Sequence, residues 1–386
     1  MDITIYPGKL AGDISVIPSK SMAHRLMICA AFADGPTTLI CPDTNRDIEA
    51  TADCLRALGA KIFRTNLGYE IIPAGEIPSG AWLNCCESGS TLRFMLPIVG
   101  ALGVKATIKM EGRLPQRPLS PLWEEMERMG CTLSRPSATT ISCKGKLKPG
   151  TYTIAGNVSS QFITGLLFAF NLMDVPCVLN ITEKIESVPY IEMTKAVLEM
   201  FPNHHSPGRI TVEGDWSNGA FFLAAEALGN QVVVNNLNPG SVQGDRAAAF
   251  WLPKLKEKCS ISAADIPDLV PILAVVAACN QGAVFSGIQR LRLKESDRVA
   301  SVIAMLEALG GKAEADENTL TVYGTGLTGG CVRSFNDHRI AMSAAIAATV
   351  CASPVTILGA ECVEKSYPKF FEEYSRLGGN YEQYLR

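Results

Sequence analysis

Apolar residues recur at helical spacing along the whole chain, with short strand-like runs between them. Six times, a triplet at positions i, i+4 and i+7 predicts a helix with one buried face. The triplets are Thr51/Leu55/Leu58, Leu122/Met126/Met129, Met193/Val197/Met200, Ala248/Leu252/Leu255, Val302/Leu306/Leu309 and Phe370/Tyr374/Leu377. Thr51 is the one polar misfit. Because Gly59, Gly310 and Gly378 directly follow three of the triplets, those helices are predicted to end in left-handed caps before a strand.

The spacing of the triplets predicts a repeated α/β architecture. They end roughly 54 to 71 residues apart, which exceeds the repeat of about 20–50 residues that is typical of solenoids. Each interval can hold two helices and several strands. A chain of 386 residues therefore fits two domains of three units each, with a junction at Glu213–Trp216. Amphipathic helices in an ordinary, unrepeated α/β protein are the alternative.

Composition narrows the classes of function. The formal net charge of −3 gives no general attraction to nucleic acid or to an acidic membrane surface. The N-terminus lacks the pattern of a signal peptide, and the longest low-charge run, 340–358, contains Pro354 and fits a buried helix followed by a strand. Thirteen scattered cysteines without a Cys-x-x-Cys spacing argue against a zinc site and favour reduced thiols in the cytoplasm.

The strongest chemical signal is the segment Pro18–Arg25, which follows a strand-like run and leads into an apolar helix. A serine at position 19 or 21 could cap that helix, whose free backbone N–H groups favour an anion. Lys20 offers a point charge and Arg25 a planar fork for phosphate or carboxylate. A capped helix with a solvated basic face is the plainer interpretation.

Further polar segments stand at transitions into helices or beside strand ends. They are Glu87–Arg93, Arg113–Pro118, Asn157–Phe162, Ile266–Asp268, Leu291–Arg298, Asn336–Arg339 and Glu364–Ser366. Alone, each also fits a simple N-cap or a solvated charged loop. Together they predict a site of helix N-termini lined by Lys and Arg, suited to small substrates with several negative charges. The chain has no P-loop motif and no dinucleotide-binding glycine motif.

These segments, in this order, resemble the 5-enolpyruvylshikimate-3-phosphate (EPSP) synthase family of enolpyruvyl transferases. The resemblance runs from Lys20 to Lys365 and implies a two-domain inverse α/β barrel with helices inside and sheets outside. Each domain would hold three βαβαββ-type units. The domains would be 1–16 plus 214–386, with the first strand crossing over, and 17–213, with the active site in the cleft between them.

The resemblance also implies a reaction and its residues. The family transfers the enolpyruvyl group of phosphoenolpyruvate to the 5-hydroxyl of shikimate 3-phosphate, through a tetrahedral intermediate and without a cofactor or metal. Shikimate 3-phosphate would be held by Lys20, Ser21, Arg25, Ser159, Ser160, Gln161, Ser187, Asp268 and Lys294. Phosphoenolpyruvate would be held by Lys20, Gly89, Arg117, Gln161, Arg298, Arg339 and Lys365. Asp268 would be the base for the hydroxyl, and Glu295 with Lys20 would protonate the methylene carbon.

Three positions depart from the family pattern. Glu87 stands where the family often has Asn, Ser90 where it often has Thr, and Arg290 where it often has Asn. Gly89 is retained, so inhibition by glyphosate is expected. The family is generally monomeric, and a cytoplasmic monomer that binds neither nucleic acid nor membrane is the expectation here.

Three other functions remain to be compared. The sister family that uses UDP-N-acetylglucosamine has the same fold and usually a reactive cysteine in the loop that corresponds to Arg113–Arg117, where this chain has none. An RNA 3′-phosphate cyclase of the same fold would need a nucleotide site and a more basic surface. A catalytically inactive scaffold would have no need for the full set of charged residues.

Overall fold

The computed structural model describes residues 1–173 and 175–384. The chain divides into two compact units. Unit 1 comprises Met1–Ile17 and Glu213–Arg386, and unit 2 comprises Pro18–Val212. The chain therefore begins in unit 1, builds all of unit 2, and then returns to complete unit 1.

Unit 1 begins with strands β1 (Asp2–Tyr6) and β2 (Ala11–Ser15). Unit 2 follows and alternates helices with strands. Its helices are α1 (Lys20–Ala31), α2 (Arg46–Ala57), α3 (Gly89–Leu102), α4 (Leu122–Arg128), α5 (Ser160–Met173) and α6 (Val188–Glu199). Its strands are β3 (Thr37–Ile40), β4 (Lys61–Arg64), β5 (Gly68–Ile72), β6 (Gly80–Asn84), β7 (Lys105–Lys109), β8 (Cys131–Ser137), β9 (Thr140–Gly145), β10 (Thr151–Ala155), β11 (Val178–Thr182) and β12 (Arg209–Thr211).

The rest of unit 1 repeats the alternation. Its helices are α7 (Trp216–Ala227), α8 (Ala248–Lys254), α9 (Val270–Ala278), α10 (Arg298–Ala308), α11 (His338–Ala347) and α12 (Phe370–Arg376). Its strands are β13 (Gln231–Asn235), β14 (Cys259–Ser262), β15 (Ala283–Ser286), β16 (Lys312–Ala315), β17 (Thr319–Tyr323), β18 (Gly330–Arg333), β19 (Val355–Leu358) and β20 (Asn380–Tyr384).

Four sheets share one strand pattern. Their orders are β12-β3-β5-β4, β6-β7-β9-β8, β14-β15-β17-β16 and β18-β19-β1-β20. In each sheet the first two strands are parallel, and the other two pair antiparallel. A single helix joins the parallel strands β6 and β7, β14 and β15, and β18 and β19, whereas β3 and β12 lie at opposite ends of unit 2 in sequence. The order of the last sheet shows that β1, at the start of the chain, completes the final repeat.

The third sheet of each unit is shorter. Strands β10 and β11 form one parallel pair, and β2 and β13 form the other. Among the described residues, α6 leads through a short 3-10 turn to β12, and α8 leads directly to β14. The antiparallel hairpin of the other repeats is therefore missing from two of the six, so the βαβαββ pattern is complete in four.

All six triplets lie at the same place in the repeat, on α2, α4, α6, α8, α10 and α12 or at their C-termini. The polar member Thr51 is fully buried, yet it does not break the pattern, because its hydroxyl is hydrogen-bonded. It lies 2.6 Å from Nδ1 of His24 and 2.7 Å from Oγ1 of Thr91. The apolar face of α2 thus carries one hydroxyl that joins α1 to α3.

Each unit has a hydrophobic core of its own, built around helices. Every residue of α9 and α11 is buried, as is most of α3, whereas the strands alternate buried and accessible residues. The helices are therefore interior and the sheets exterior within each unit, because a sheet with one apolar face needs cover on that side only. None of the helices in the described residues is long and apolar enough to cross a membrane.

Candidate active site

The polar segments of the sequence lie at helix N-termini. Ser19 caps α1 and Ser88 caps α3, each through its hydroxyl oxygen, which accepts a backbone N–H from inside the helix. Asp297 and Asp337 cap α10 and α11 through a carboxylate oxygen, which likewise accepts a backbone N–H. The first turn of a helix has unpaired N–H groups and a partial positive charge, so these segments place that charge beside their own basic side chains.

Arg25 is held rigidly inside unit 2. Its Nε donates to Oγ1 of Thr194 at 2.9 Å, and its Nη2 donates to the carbonyl of Tyr190 at 2.9 Å. Its Nη1 donates to the carbonyl of Ser21 at 2.7 Å. Burial lowers the pKa of Arg25 to about 10, so the guanidinium remains charged at neutral pH. Arg25 is thus tied to the backbone of Ser21, and the α6 residues Tyr190 and Thr194 complete the clamp.

Other predicted residues of unit 2 also lie at the starts of helices. Lys20, in the first turn of α1, forms an ion pair of 2.9 Å with Asp47 of α2. Ser187 is buried at the N-cap of α6, with a left-handed backbone at φ 57°. Ser160 is the first residue of α5, and the hydroxyl of Ser159 accepts the backbone N–H of Gln161 at 3.3 Å. The serines thus stand at the starts of α5 and α6, and a helix N-terminus is a favourable place for an oxyanion.

Gly89 lies directly against two guanidinium groups. A Cβ at this position would lie 2.6 Å from Nη1 of Arg117 and 2.7 Å from Nη1 of Arg93. Arg93 in turn donates to Oε1 of Gln161 at 3.0 Å, and Gln161 donates through Nε2 to Oγ of Ser90 at 2.9 Å. The structure thus brings three of the predicted phosphoenolpyruvate residues together, at the N-terminus of α3.

The charged residues of unit 1 converge on Asp268. Its Oδ1 accepts from Nη1 of Arg298 at 2.5 Å and lies 3.5 Å from Nζ of Lys294. Its Oδ2 accepts from Nη2 of Arg339 at 2.9 Å. Helix α9 begins two residues later, with Leu269 at the N-cap position. Asp268 is therefore the centre of an ion cluster, and the alternative of a simple helix cap is wrong.

Burial and charge act in opposite directions on this cluster. Burial disfavours the ionised form of Asp268, but Arg339, Lys294 and Arg298 outweigh it and hold its pKa well below the usual value. The same burial lowers the pKa of Lys294 to about 8, although Asp268 opposes that shift. At neutral pH the cluster therefore contains an ionised carboxylate and a lysine close to its titration point.

Arg298 is the most deeply buried cation of the cluster, with 1% of its side chain exposed. Its Nε donates to Oδ2 of Asp337 at 2.8 Å, and its Nη2 donates to Oε2 of Glu295 at 2.7 Å. Burial lowers the pKa of Arg298, but Asp337, Glu295 and Asp268 raise it well above the usual value. Three carboxylates thus share one guanidinium, which compensates for the cost of burying a charge.

Two residues extend the cluster. Lys365 donates through Nζ to the carbonyl of Asn336 at 2.8 Å, in the turn before α11. Asp245 is buried and accepts a hydrogen bond of 2.5 Å from Ser217. Burial raises the pKa of Asp245 to about 6, with Asp268 raising it further and Arg339 lowering it. Asp245 is a second carboxyl in the field of Asp268, with the opposite pKa shift.

Sequence reasoning missed several members of these clusters. Arg93 lies in one of the polar segments, but the sequence suggests no role for it, although a buried arginine on an apolar helix is a signal of function or of a satisfied charge. Asp47 and Asp337 had no assigned role either, and they balance Lys20 and Arg298. Asp245 gave no local signal, because only the fold brings it near Asp268.

The comparisons with known proteins point to one family. The family model for EPSP synthase (3-phosphoshikimate 1-carboxyvinyltransferase) matches residues 5–374. A 3-phosphoshikimate 1-carboxyvinyltransferase of Clostridium beijerinckii is 35% identical, with 99% of both chains covered. Those of Clostridium acetobutylicum and Clostridioides difficile are 36% and 35% identical, over 99% of this chain and 98% of each relative.

Solved structures agree in fold. EPSP synthase from Acinetobacter baumannii superposes with a TM-score of 0.78 at 24% identity, covering 99% of this chain and 100% of that one. The enolpyruvyl transferase NikO from Streptomyces tendae has a TM-score of 0.73 at 17% identity, covering 99% and 98%. These two likenesses support the enolpyruvyl transferase fold that the sequence predicted. With the family match over most of its length, the chain belongs to the EPSP synthase (3-phosphoshikimate 1-carboxyvinyltransferase) family.

Proposed function

We propose that this protein transfers the enolpyruvyl group of phosphoenolpyruvate to the 5-hydroxyl of shikimate 3-phosphate and releases phosphate. Membership of the family supports the reaction. The observation that carries the proposal is the Asp268 cluster, in which one partly buried carboxylate lies 2.5 Å from Arg298 and 2.9 Å from Arg339. The cluster combines an ionised base with cations that suit an anionic substrate, and both are required for this chemistry.

The two substrates together carry two phosphates and two carboxylates, which repel one another at close range. We propose that the cations of both units offset that repulsion. In unit 2 these are Lys20, Arg25 and Arg117, and the hydroxyls of Ser159 and Ser160 add polar contacts for shikimate 3-phosphate. In unit 1, Arg298, Arg339 and Lys365 would hold phosphoenolpyruvate. Planar guanidinium groups bind carboxylate and phosphate bidentately, which fixes the substrate as well as neutralising it.

Proton transfer would use two carboxyl groups with different surroundings. Asp268 takes the proton of the 5-hydroxyl as the oxygen bonds to the enol carbon of phosphoenolpyruvate. Glu295, with Lys20, supplies a proton to the methylene carbon, which becomes a methyl group in a tetrahedral intermediate. In the elimination, the methyl group returns a proton to Glu295 and Lys20, the C–O bond to phosphate breaks with its electron pair leaving on phosphate, and the carbon–carbon double bond forms again.

The state of Asp268 without substrate fits this role. Three cations keep its pKa low, so it is ionised and ready to accept a proton, but it is a weak base. When phosphoenolpyruvate engages Arg298 and Arg339, those cations are shared with the substrate and the basicity of Asp268 rises. Substrate binding would thus activate the base, so that proton removal follows the arrival of both substrates.

The remaining expectations also belong to the proposal. No feature of the described residues favours UDP-N-acetylglucosamine as the acceptor, and the family match does not support it. We propose that the protein is a cytoplasmic monomer that acts on small molecules only. Sedimentation of the purified chain at micromolar concentration would test the monomer, and a dimer mass would reject it.

The function is tested by following phosphate release from phosphoenolpyruvate, with shikimate 3-phosphate or UDP-N-acetylglucosamine as the acceptor. We expect release with shikimate 3-phosphate only. In Asp268→Asn, kcat should fall by about 10²–10⁴-fold, the usual contribution of a general base. The matched control is Asp265→Asn, an exposed change three residues away, which should leave kcat unchanged. Release with the sugar nucleotide alone would reject the proposal.

A further inference from the structure

Glu87 lies where two neighbouring strands end. Strands β6 and β7 are parallel, with Asn84 opposite Lys109, so the segments that follow them leave the same edge of the sheet. Glu87 lies in the segment after β6, and the loop 110–117 follows β7. The backbone N–H of Glu111 donates to the carbonyl of Cys86 at 2.7 Å, which joins the two segments at their base.

The Glu87 side chain lies directly on the bare backbone of Gly112. Its Oε1 accepts the backbone N–H of Arg113 at 3.4 Å. Gly112 has φ +54°, and a Cβ added there would lie 1.5 Å from Oε1 of Glu87. Any other residue at position 112 would have to displace the carboxylate, so the absence of a side chain at Gly112 and the length of Glu87 are complementary.

The contact between Glu87 and Arg113 fixes the beginning of the backbone segment that leads to Arg117. After Arg113 the chain forms a 3-10 turn, Leu114–Gln116, in which Arg117 donates its N–H to the carbonyl of Leu114 at 3.2 Å. Leu114 is 2% exposed and anchors the turn in the core. The path is short and hydrogen-bonded, so a shift at Arg113 is carried to the Arg117 guanidinium. That group lies 2.6 Å from where a Cβ of Gly89 would be.

We propose that Glu87 is a positioning residue that fastens the loop 110–117 and thereby sets Arg117 over Gly89 for phosphoenolpyruvate. The expected change in KM rests on the proposed function. The contact that holds the loop does not depend on what the protein catalyses. It also gives a reason for the departure at this position, since Asn is one methylene shorter than Glu and would reach less far towards the N–H of Arg113. The contact with Arg113 needs an acceptor oxygen at position 87, which the amide of Gln also supplies.

Steady-state kinetics test the positioning role. In Glu87→Ala the KM for phosphoenolpyruvate should rise about tenfold. A change of this size corresponds to the net free energy of about one hydrogen bond. The KM for shikimate 3-phosphate should stay unchanged and kcat should change by less than about twofold. Glu87→Gln keeps the acceptor and should restore the wild-type KM. Glu124→Ala, an exposed glutamate of α4 in the same unit, is the matched control.

A double-mutant cycle tests the contact with Gly112. Gly112→Ala should raise the KM for phosphoenolpyruvate in the wild-type background, because the new methyl group displaces Glu87. In the Glu87→Ala background the same change should have a smaller effect, limited to the backbone strain, since the space is then empty. The strain of Ala at a positive φ is common to both backgrounds and cancels in the cycle. Independent effects of the two changes would overturn the proposal.

Hydrogen–deuterium exchange of the substrate-free protein separates this inference from the proposed function. The peptide 110–117 should exchange faster in Glu87→Ala than in the wild type, and at the wild-type rate in Glu87→Gln. Unchanged exchange in Glu87→Ala would overturn the fastening, whether or not the protein turns over. If the wild type releases no phosphate, the proposed function fails and exchange alone decides. Faster exchange with an unchanged KM in an active enzyme would overturn the positioning of Arg117.

Discussion

Two arginine side chains lie so close to Gly89 that a single methyl group there would move them. In Gly89→Ala the new Cβ would meet Arg117 and Arg93 at 2.6 and 2.7 Å. Both contacts are with flexible guanidinium ends, so the side chains yield and the fold survives. We expect the KM for phosphoenolpyruvate to rise about tenfold or more, with little change in the KM for shikimate 3-phosphate.

The same change should weaken inhibition by glyphosate, a small anion that is expected to compete with phosphoenolpyruvate. The wild type should be inhibited by millimolar glyphosate at low phosphoenolpyruvate, and Gly89→Ala should need more inhibitor for the same effect. Thermal unfolding of the variant serves as the control, because a large fall in melting temperature would attribute the kinetic change to misfolding. An unchanged wild-type rate with glyphosate would contradict this account of the Gly89 pocket.

Titration of Lys294 should determine how kcat/KM falls on the alkaline side of the pH profile. Its pKa is lowered to about 8 by burial, so it loses its charge within the working range. The lysine is charged below this pKa and neutral above it, so kcat/KM for shikimate 3-phosphate should fall as pH rises through about 8. In Lys294→Arg, whose guanidinium stays charged, the fall should move to higher pH. The same alkaline limb in both proteins would assign that pKa to another group.

At this scale, sequence patterns predicted which residue types form the site but not how they pair. Lys294, Arg298 and Arg339 could be recognised as cations in three separate segments. That all three contact Asp268 depends on packing between α9, α10 and α11, which no local pattern encodes. The side chains that balance them, such as Asp337, were recognised as polar but not as partners.

Among the elements, a chain of polar groups links three helices of unit 2. His24 of α1 contacts Thr51 of α2 at 2.6 Å, and Thr51 contacts Thr91 of α3 at 2.7 Å. Thr91 donates to the hydroxyl of Ser88, the N-cap of α3, at 2.7 Å. Burial, together with Lys20 and Arg25, lowers the pKa of His24 well below its usual value, so the ring is neutral. The chain fixes the start of α3 relative to α1.

Thr51→Val tests this link. The change keeps the shape of the side chain but leaves Nδ1 of His24 and the hydroxyl of Thr91 without the Thr51 hydroxyl. We expect the free energy of unfolding to fall by about 1–3 kcal/mol, the cost of leaving a buried polar group unpaired. Thr132→Val, at an exposed position of β8, is the control. Urea unfolding measures both, and equal effects would contradict a specific role for Thr51.

Periodicity predicted the elements better than the sheets. The six triplets mark the second helix of each repeat because a buried helical face must recur every three to four residues. The two shortened sheets were not predicted, since the loss of a hairpin after α6 or α8 leaves the triplets untouched. Thr51 shows the limit of the method, because a hydroxyl satisfied by another helix looks like an error in the pattern.

For the molecule as a whole, positive charge is concentrated locally although the net charge is negative. The chain carries −3 overall, yet each unit gathers several cations at helix N-termini. Composition therefore excluded nucleic acid as an expected partner but could not reveal the anion site. The fold was recognisable from the order of the motifs along nearly the whole chain, whereas local composition alone would have left an ordinary α/β protein.

Asp245 predicts how stability depends on pH. Its pKa is about 6 in the folded protein and 3.8 as the reference value, so the folded state binds the proton more tightly. The stabilising contribution is present below about pH 3.8 and is lost as pH rises through about 6. Asp245→Asn should therefore raise the free energy of unfolding at pH 7.5 by about 1–3 kcal/mol. The gain should vanish near pH 4, and an equal gain at both pH values would contradict it.

The central claim is that this chain joins two particular substrates. The most direct measurement is mass spectrometry of the product after the protein is mixed with shikimate 3-phosphate and phosphoenolpyruvate. The account predicts shikimate 3-phosphate that has gained one enolpyruvyl group, with one phosphate released for each molecule formed. Phosphate release accompanied by pyruvate and unchanged shikimate 3-phosphate, or no reaction in a folded sample, would contradict it.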